Sequence, residues 1–268
     1  MECKWCESGQ VIRYGGKGNK QLWHCKSCGR YFYFGLKKEK KERPLIFNYS
    51  LGYIIGVLVG DGSLSKWRDY HYFDDKFRQV PKSKATKIVP RYRYGLQLRV
   101  KDRDFAETFA KHLQEITGRN VSPYPVTHKE VTEIAGNKLS KPYSMHGFKV
   151  QQTNKNLYKK LLPLKEDLTW IIETDMEVIN GFLMGLFDSD GGLSKERRPR
   201  QRFRVHLTNK DRNLLDLVKH LLRKYKIDAH IYPMGPIFRL WIHSKENVKR
   251  FYDTIGFSIK RKKMEKIV

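Results

Sequence analysis

Two aspartates occupy matched positions in a segment that the chain carries twice. Asp61 and Asp190 are each followed by a glycine, and they stand 129 residues apart (190 − 61). Each ends an apolar stretch with a small residue at every fourth position, and these small residues are Gly52, Gly56 and Gly60 in the first copy and Gly181, Gly185 and Ser189 in the second. In a helix such residues form one stripe. Because small residues let helix backbones approach closely, the repeat predicts two helices packed side by side.

The aspartates then fall at the C-terminal ends of these two helices. A carboxylate at that end faces the negative pole of the helix dipole, which is unfavourable. If the helices run parallel, both carboxylates reach the same end of their interface, where two like charges require a cation. Mg²⁺ is the natural one, because it prefers oxygen ligands. Asp-Gly is also a common turn dipeptide, but two of them at matched positions of a repeat favour a site.

The four cysteines form two Cys-x2-Cys pairs near the start of the chain. Cys3 and Cys6 are separated by residues 7–24 from Cys25 and Cys28. Two such pairs are typical of a structural Zn²⁺ held by four thiolates, whereas a redox motif would have one pair and a surrounding βαβ pattern. Between the pairs, residues 11–14 and 21–24 have the pattern of strands and residues 15–20 that of a turn. The segment is too short for an apolar core of its own, so zinc would supply most of its folding free energy.

Composition points to a polyanionic partner. Lysine and arginine number 54 against 28 acidic residues, which gives a net charge of +26, and 40% of the residues are hydrophobic, enough for a core. This charge predicts a nucleic-acid-binding protein. No apolar run approaches the ~20 residues of a membrane span. The first residues have no apolar signal segment, so we expect a cytoplasmic, nucleoid-associated protein without a membrane partner.

Each repeat is followed by the same succession of patterns. A period-2 strand begins at Tyr94 in the first half and at Phe203 in the second, and an amphipathic helix of period 3.6 follows each. Each half then closes with a strand and another helix, over residues 148–162 and 238–255. The patterns therefore predict two equivalent halves of mixed α and β structure.

Both repeats resemble the LAGLIDADG motif of homing endonucleases. Residues 54–62 and 183–191 each match its nine-residue frame, except that Val59 stands where the family often has an acid, which the second copy keeps as Asp188. The resemblance covers residues 47–268. It implies an α+β fold in which an αββαββα unit occurs twice and two curved sheets form a DNA-binding saddle around the helix pair.

The cysteine-rich segment is similar to the zinc ribbons at the N termini of transposase-like DNA-binding proteins. The matching residues are the four cysteines and the stretch 28–32, Cys-Gly-Arg-Tyr-Phe. The two resemblances together predict a zinc ribbon over 1–35, a basic linker over 36–47 and an endonuclease domain over 48–268. Its halves are expected at 48–170 and 171–268.

The LAGLIDADG resemblance also implies roles for particular residues. Asp61 and Asp190 would be the catalytic acids that bind Mg²⁺, and the backbone carbonyls of Gly60 and Ser189 would add ligands. Lys155 and Lys245, at the strand-to-helix turn late in each half, match the place of a basic helper residue, although a lysine at a helix start is more often a solvated charge. A further pair of residues stands roughly where relatives place a water-positioning glutamine, and these are Arg93 and Arg202.

Alternating polar residues on the strands after each repeat are expected to contact DNA in the major groove. They are Arg91, Arg93, Gln97, Arg99, Gln201, Arg202, Arg204 and His206. The first half carries two basic insertions rich in tyrosine and proline, near residues 67–90 and 121–142, which would form long DNA-contacting hairpins. We therefore expect a long asymmetric target site rather than a palindrome.

The expected function is that of a monomeric, Mg²⁺-dependent homing endonuclease that cuts both strands of double-stranded DNA, as in intron homing. An intron RNA maturase on the same fold, which would bind intron RNA, stays open as an alternative. So does a catalytically silent DNA-binding regulator, although retention of both aspartates speaks against it. A transposase is suggested only by the ribbon.

Overall fold

The cysteine-rich segment folds as a three-stranded antiparallel sheet. The strands are β1 (Val11–Lys17), β2 (Lys20–Cys25) and β3 (Tyr31–Phe34), in the order β1-β2-β3. The two predicted strands are present, with a shorter turn between them than expected, and β3 is an additional strand that the sequence analysis did not predict. Cys3, Cys25 and Phe32 are buried and form the small core, against which Val11 and Trp23 pack.

The computed structural model describes residues 1–3, 5–17, 20–34, 44–75, 79–127, 131–134, 137–143, 146–196 and 202–259. The chain divides into two compact units, Met1–Pro44 and Leu45–Val268. This division falls inside the predicted linker 36–47, most of which lies outside the described residues, as does Gln201.

The first half of the second unit begins with a helix that ends at the first repeat. Its elements are α1 (Tyr49–Val59), β4 (Ser63–Phe73), β5 (Lys87–Val100), α2 (Arg103–Thr117), β6 (Tyr124–Thr127), β7 (Val131–Ile134), β8 (Asn137–Tyr143), β9 (His146–Thr153) and α3 (Lys155–Glu166). Asn48 caps α1, because its side chain accepts a hydrogen bond from the Leu51 backbone N–H at 3.0 Å. Helix α2 ends at Gly118, whose φ of 62° is a left-handed conformation that glycine adopts readily.

The second half repeats this order without the insertions. Its elements are α4 (Met176–Asp190), β10 (Gly191–Glu196), β11 (Arg202–Asn209), α5 (Arg212–Lys224), β12 (His230–Met234), β13 (Ile237–Ile242) and α6 (Lys245–Thr254). This is the predicted αββαββα unit. The first half contains the same unit, with the hairpin β7–β8 inserted between β6 and β9.

The two four-stranded antiparallel sheets have equivalent strand orders. They are β4-β5-β9-β6 in the first half and β10-β11-β13-β12 in the second. Ser63 pairs with Gln97, and Gly192 pairs with His206, so these pairs are equivalent positions of the two sheets. Strands β4 and β5 continue their pairing to Phe73 and Lys87, which makes the first insertion a long hairpin as expected.

The core of the second unit lies around α1 and α4. Residues 50–58 of α1 are all buried, which is the pattern of a helix that is covered on every side. Helix α4 packs against α1 and against β10 and β11, while α2 packs against α1, β5 and β9. The helix pair is therefore the structural centre of this unit, and its C-terminal ends are held in place by the sheets.

Candidate metal and nucleic-acid sites

The two glycine stripes meet face to face. A Cβ added at Gly52 would collide with the carbonyl oxygen of Val178 and lie 2.9 Å from the backbone nitrogen of Phe182. One turn further on, a Cβ at Gly56 would collide with the carbonyl oxygen of Phe182 and lie 2.8 Å from the backbone nitrogen of Leu186. The same holds in reverse for the glycines of α4, Gly181 and Gly185, against the backbone of α1. From Gly52 to Gly56 the contact on α4 moves forward from Val178 to Phe182, so α1 and α4 run parallel, as predicted.

The parallel packing brings the ends of both repeats together. A Cβ at Gly60 would collide with the side chain of Ser189 and lie 3.5 Å from the carboxyl carbon of Asp190. Asp61, in the turn after α1, lines the same cavity as Ser189. The structure thus places Gly60, Asp61, Ser189 and Asp190 in one cluster at the C-terminal ends of the two helices.

The surroundings of Asp61 are rich in charge. Asp61 is exposed and lines a cavity of about 230 Å³. The other charged residues of the lining include Arg99, Lys101 and Asp102, from the end of β5 and the turn into α2. The cavity therefore combines carboxylates, which suit a divalent cation, with cations that can neutralise a phosphate.

Asp190 has a polar partner on the neighbouring strand. The Asn209 side chain, at the end of β11, donates a hydrogen bond from Nδ2 to Asp190 Oδ2 at 3.2 Å. In the equivalent register of the first half the residue is Val100, which has no polar side-chain atom. The sequence analysis missed Asn209, because its role depends on the register of β11 against β10. A signal existed, since Lys-Asp-Arg follows directly in both halves, at 101–103 and 210–212.

Asp188, the additional acid of the second repeat, is engaged in packing. Its carboxylate is buried, accepts a hydrogen bond from the Tyr53 hydroxyl at 2.8 Å, and accepts one from the Ser258 backbone N–H at 2.9 Å. Burial and the neighbouring Asp188 carboxylate raise the pKa of Tyr53 well above its usual value. Asp188 therefore anchors the chain after α6 to the helix pair, and it also lines the cavity of Asp61 and Ser189.

The two predicted helper lysines begin the last helix of each half. Lys155 and Lys245 are the exposed first residues of α3 and α6, and Lys155 Nζ lies 5.4 Å from the ring centre of Tyr94. Because β9 runs antiparallel to β5, the start of α3 adjoins Tyr94, whereas Val100 and the Asp61 cavity are six residues further along β5, about 20 Å of strand. The strand geometry thus places Lys155 away from the Asp61 cavity, which Arg99 and Lys101 line.

The residues expected to contact DNA share one face of each sheet. In β5, Leu96, Leu98 and Val100 face the core, so Gln97 and Arg99 face away from it. In β11, Val205 and Leu207 are buried in the same way. The side chains on the opposite face of β11 are those of Arg204 and His206.

The other residues predicted to contact DNA lie outside these two strand segments. Arg91 and Arg93 lie on the exposed extension of β5, where Arg93 makes a 2.6 Å salt bridge to Asp69 of β4. Arg93 is therefore far along β5 from Asp61, and the water-positioning place considered for it is not supported by the geometry. Arg202 begins β11 and its side chain is outside the described part of the structure, as is the whole of Gln201.

An aromatic and basic cluster on the second sheet was also missed by the sequence analysis. Trp241 of β13 lies opposite His206, with ring centres 5.0 Å apart. The guanidinium groups of Arg204 and Arg239 lie 5.9 and 5.4 Å from the centre of the Trp241 ring. Arg239 Nε also donates to the Thr208 hydroxyl at 3.0 Å. Two arginines are thus held in fixed positions on the face that is turned away from the core.

The four cysteines have the geometry of a tetrahedral zinc site. Their sulfur atoms all lie within 4.8 Å of one another, and Cys3–Cys28 and Cys6–Cys25 are each 3.6 Å apart. A zinc ion with bonds of about 2.3 Å to four sulfurs separates them by about 3.8 Å, so the cluster fits this ion.

Comparisons with known proteins agree with this architecture. Residues 177–256 match the family model described as LAGLIDADG-like domain. The structure is similar to that of the homing endonuclease I-DmoI in complex with DNA and Mn, with a TM-score of 0.50 and 18% identity over 79% of this chain and 98% of that one. Residues 177–256 therefore carry a LAGLIDADG-like domain, and the second unit has the two-repeat LAGLIDADG fold.

Two relatives are uncharacterized proteins of Methanocaldococcus jannaschii. One is 28% identical over 230 residues, which are 80% of this chain and 68% of the relative. The other is 25% identical over 197 residues, which are 73% of this chain and 61% of the relative. The chain thus spans about two thirds of the length of these relatives. Among the described residues, no helix is long and apolar enough to cross a membrane.

Proposed function

We propose that the protein is a divalent-metal-dependent, site-specific endonuclease that hydrolyses both strands of double-stranded DNA. The observation that carries the proposal is that Asp61 and Asp190 both lie at the C-terminal ends of two closely packed, parallel helices. The chain also has a net charge of +26, which suits a polyanionic substrate. The similar fold of I-DmoI has been solved with DNA and Mn, and with its target DNA in the presence of Mg.

The donor set at the helix ends fits a hard cation. It consists of the carboxylates of Asp61 and Asp190 and the backbone carbonyl groups of Gly60 and Ser189. The last carbonyl groups of a helix accept no hydrogen bond within it, so they can serve as metal ligands. Mg²⁺, when bound, supplies positive charge for the phosphate and lowers the pKa of a water molecule. Each aspartate would serve one DNA strand. Asn209 orients the Asp190 carboxylate by its hydrogen bond, and Arg99 and Lys101 neutralise the phosphate that enters the Asp61 cavity.

The sheet faces that point away from the core would hold the duplex. Gln97 and Arg99 of the first sheet, and Arg204 and His206 of the second, are placed to contact bases or phosphates. Because both hairpin insertions belong to the first half, that half would cover more DNA than the second. We therefore propose a monomer that recognises a long asymmetric site, as in intron homing.

The ribbon would bind Zn²⁺ for its folding and lengthen the contact with nucleic acid. Its four thiolates satisfy a tetrahedral zinc ion, so the metal would be structural rather than catalytic. We assign the ribbon to residues 1–35, the linker to 36–47 and the endonuclease domain to 48–268, with its halves joined at 170/171.

The test is cleavage of a randomised double-stranded DNA library by the full chain with Mg²⁺. Breaks are mapped for the protein and for three variants, Asp61→Asn, Asp190→Asn and the surface control Asp253→Asn. We expect double-strand breaks at one long site with the parent and with Asp253→Asn. Each of the other two variants should leave at most a nick in one strand, because it retains one carboxylate.

Two other results would replace this proposal. Tight, sequence-specific DNA binding without any break under Mg²⁺ or Mn²⁺ would indicate a silent DNA-binding regulator. Absence of cleavage together with tight binding to a structured intron RNA would indicate a maturase. Equal cleavage by Asp61→Asn, Asp190→Asn and the parent would show that neither aspartate takes part in cleavage.

A further inference from the structure

One face of the ribbon sheet is built of aromatic rings that do not take part in its core. The register pairs Arg13 with Trp23 and Trp23 with Phe32 on the side of the cysteines. The neighbouring positions in the strands must therefore point to the other side. Four rings lie there, which we call the aromatic face, and they are Tyr14, His24, Tyr31 and Tyr33.

The rings of the aromatic face form a contiguous group. His24 stacks on Tyr31 with ring centres 4.4 Å apart, and Tyr14 contacts Tyr31 edge-on at 4.8 Å. Tyr33 lies two residues along β3, on the same side of the sheet. Tyr14 is 60% exposed, Tyr31 49% and Tyr33 48%. Much of the surface of these rings is thus exposed instead of being buried in the ribbon core. Contiguous exposed aromatic rings are typical of binding surfaces.

The charge of the ribbon indicates the class of partner. Residues 1–34 contain six basic and two acidic residues, a net charge of +4 (6 − 2). Arg13 points to the cysteine side of the sheet, and the guanidinium of Arg30 lies 5.3 Å from the centre of the Trp5 ring. Lys4 lies outside the described residues, as do the side chains of Lys17 and Lys20. A surface of rings within a positive field is complementary to a partner that carries both flat apolar groups and negative charge.

We propose that the aromatic face binds an unpaired nucleic-acid strand, whose bases stack on Tyr14, Tyr31 and Tyr33. Bases in a duplex are covered on both faces by their neighbours, so protruding rings cannot stack on them without opening the helix. In a single strand each base has a free face, and stacking tolerates any sequence. The net charge of +4 on the ribbon would attract the phosphates of the same strand. This activity is separate from duplex cleavage by the second unit and does not depend on it.

The experiment measures binding of the zinc-loaded full chain to labelled 12-nucleotide single strands by fluorescence anisotropy. One arm uses DNA and the other RNA, and a DNA duplex of the same sequence is measured in parallel. All proteins carry Asp61→Asn and Asp190→Asn, so that no probe is cut. On this background we compare Tyr14→Ala/Tyr31→Ala with Tyr14→Phe/Tyr31→Phe and with Gln10→Ala. Gln10→Ala is the control, because Gln10 is exposed in the same module but lies ahead of β1 and outside the aromatic face.

We expect the alanine pair to weaken single-strand binding at least tenfold and to change duplex binding less than twofold, since each stacked base contributes about 1–3 kcal/mol. The phenylalanine pair, which keeps the rings, and Gln10→Ala should each stay within twofold of the background. A stronger effect in the DNA arm or the RNA arm identifies which strand is bound.

Three results would overturn the proposal. The first is an equal loss of duplex and single-strand binding in the alanine pair, which would mean that the face contacts phosphates alone. The second is an equal loss in the phenylalanine pair, which would implicate the hydroxyl groups. The third is unchanged single-strand binding in the alanine pair at full zinc content, which would leave the face to a protein partner.

Discussion

Asp61 and Asp190 hold matched positions in the repeat but have different neighbours. Asp190 accepts a hydrogen bond from Asn209, whereas the equivalent position beside Asp61 is Val100. The amide holds the Asp190 carboxylate in one orientation, and Val100 offers no such hydrogen bond in the first half. At the level of single residues, the two halves of the site are therefore unequal.

This inequality predicts a strand-specific effect of Asn209→Ala. Hydrogen bonds to charged groups contribute about 1.5–3 kcal/mol, so the strand served by Asp190 should be cut roughly 10- to 100-fold more slowly. The other strand should be cut at the parental rate. The measurement is the nicking rate of each strand of a target labelled at both ends, with Asn247→Ala as control. Equal slowing of both strands would show that Asn209 supports the fold rather than Asp190.

A buried polar cluster lies at the start of α1. The Ser50 hydroxyl contacts His112 Nδ1 at 2.9 Å and donates to Glu115. Burial lowers the pKa of His112 below its usual 6.5, although the Glu115 carboxylate opposes this shift and the Lys111 charge adds to it. The hydrogen bond from Ser50 lowers the pKa of Glu115. Both groups thus hold fewer protons in the folded chain than in the unfolded chain.

It follows that acid destabilises the second unit through this cluster. As the pH falls below 6.5, the unfolded chain takes up a proton at His112 that the folded chain does not, so the free energy of unfolding decreases by up to about 1.4 kcal/mol per pH unit. Glu115 acts in the same direction at lower pH. Urea unfolding at several pH values should show a shallower slope for His112→Gln than for the parent. The exposed His220→Gln is the control, and an unchanged slope in His112→Gln would contradict the prediction.

At the scale of elements, the helix pair is specified by its glycines. In an exposed helix, glycine to alanine stabilises by about 0.5–1 kcal/mol. At Gly56 the added Cβ would collide with the carbonyl oxygen of Phe182, so the sign should reverse. Overpacking of this kind costs typically 1–3 kcal/mol. The glycines therefore exchange intrinsic helix stability for close contact of the two backbones.

We expect Gly56→Ala, and equally Gly185→Ala, to lower the free energy of unfolding by about 2–3 kcal/mol. Urea denaturation followed by circular dichroism measures this change. Gly9→Ala serves as control, because a Cβ at Gly9 meets no atom within 4 Å. A gain in stability at Gly56 would mean that the helices are further apart in solution than in this structure.

The sequence predicted these elements because their information is local. Spacing of four placed the glycines on one helix face, and the constant offset matched Asp61 with Asp190. By contrast, Lys155 was placed near an aspartate only by its position in the order of elements. The antiparallel course of β9 carries it to the far end of the sheet. Asn209 was missed for the same reason, because cross-strand register is set by the packing of the whole sheet rather than by any local pattern.

At the scale of the molecule, charge is distributed over both units. Residues 1–44 hold eleven basic and four acidic residues, a net charge of +7 (11 − 4), and the remaining +19 (26 − 7) belongs to residues 45–268. Each unit has its own core, one around the cysteines and one around the helix pair. Because the units are compact separately, the second should keep its fold and its duplex contacts when the first is removed.

Removal of residues 1–44 should therefore weaken duplex binding without abolishing cleavage. Every phosphate contact that is lost reduces the slope of log K against log salt by about 0.9, so loss of two or three contacts would reduce the slope by about 2–3. The measurement is a salt titration of affinity for a target with long flanks, compared between the full chain and residues 45–268. The zinc-depleted full chain is a second control, because it keeps the +7 charge without the folded ribbon. If it binds like the full chain, the ribbon contributes charge alone; an unchanged slope after truncation would mean that the ribbon does not contact the duplex, and the added positive charge would then serve another strand.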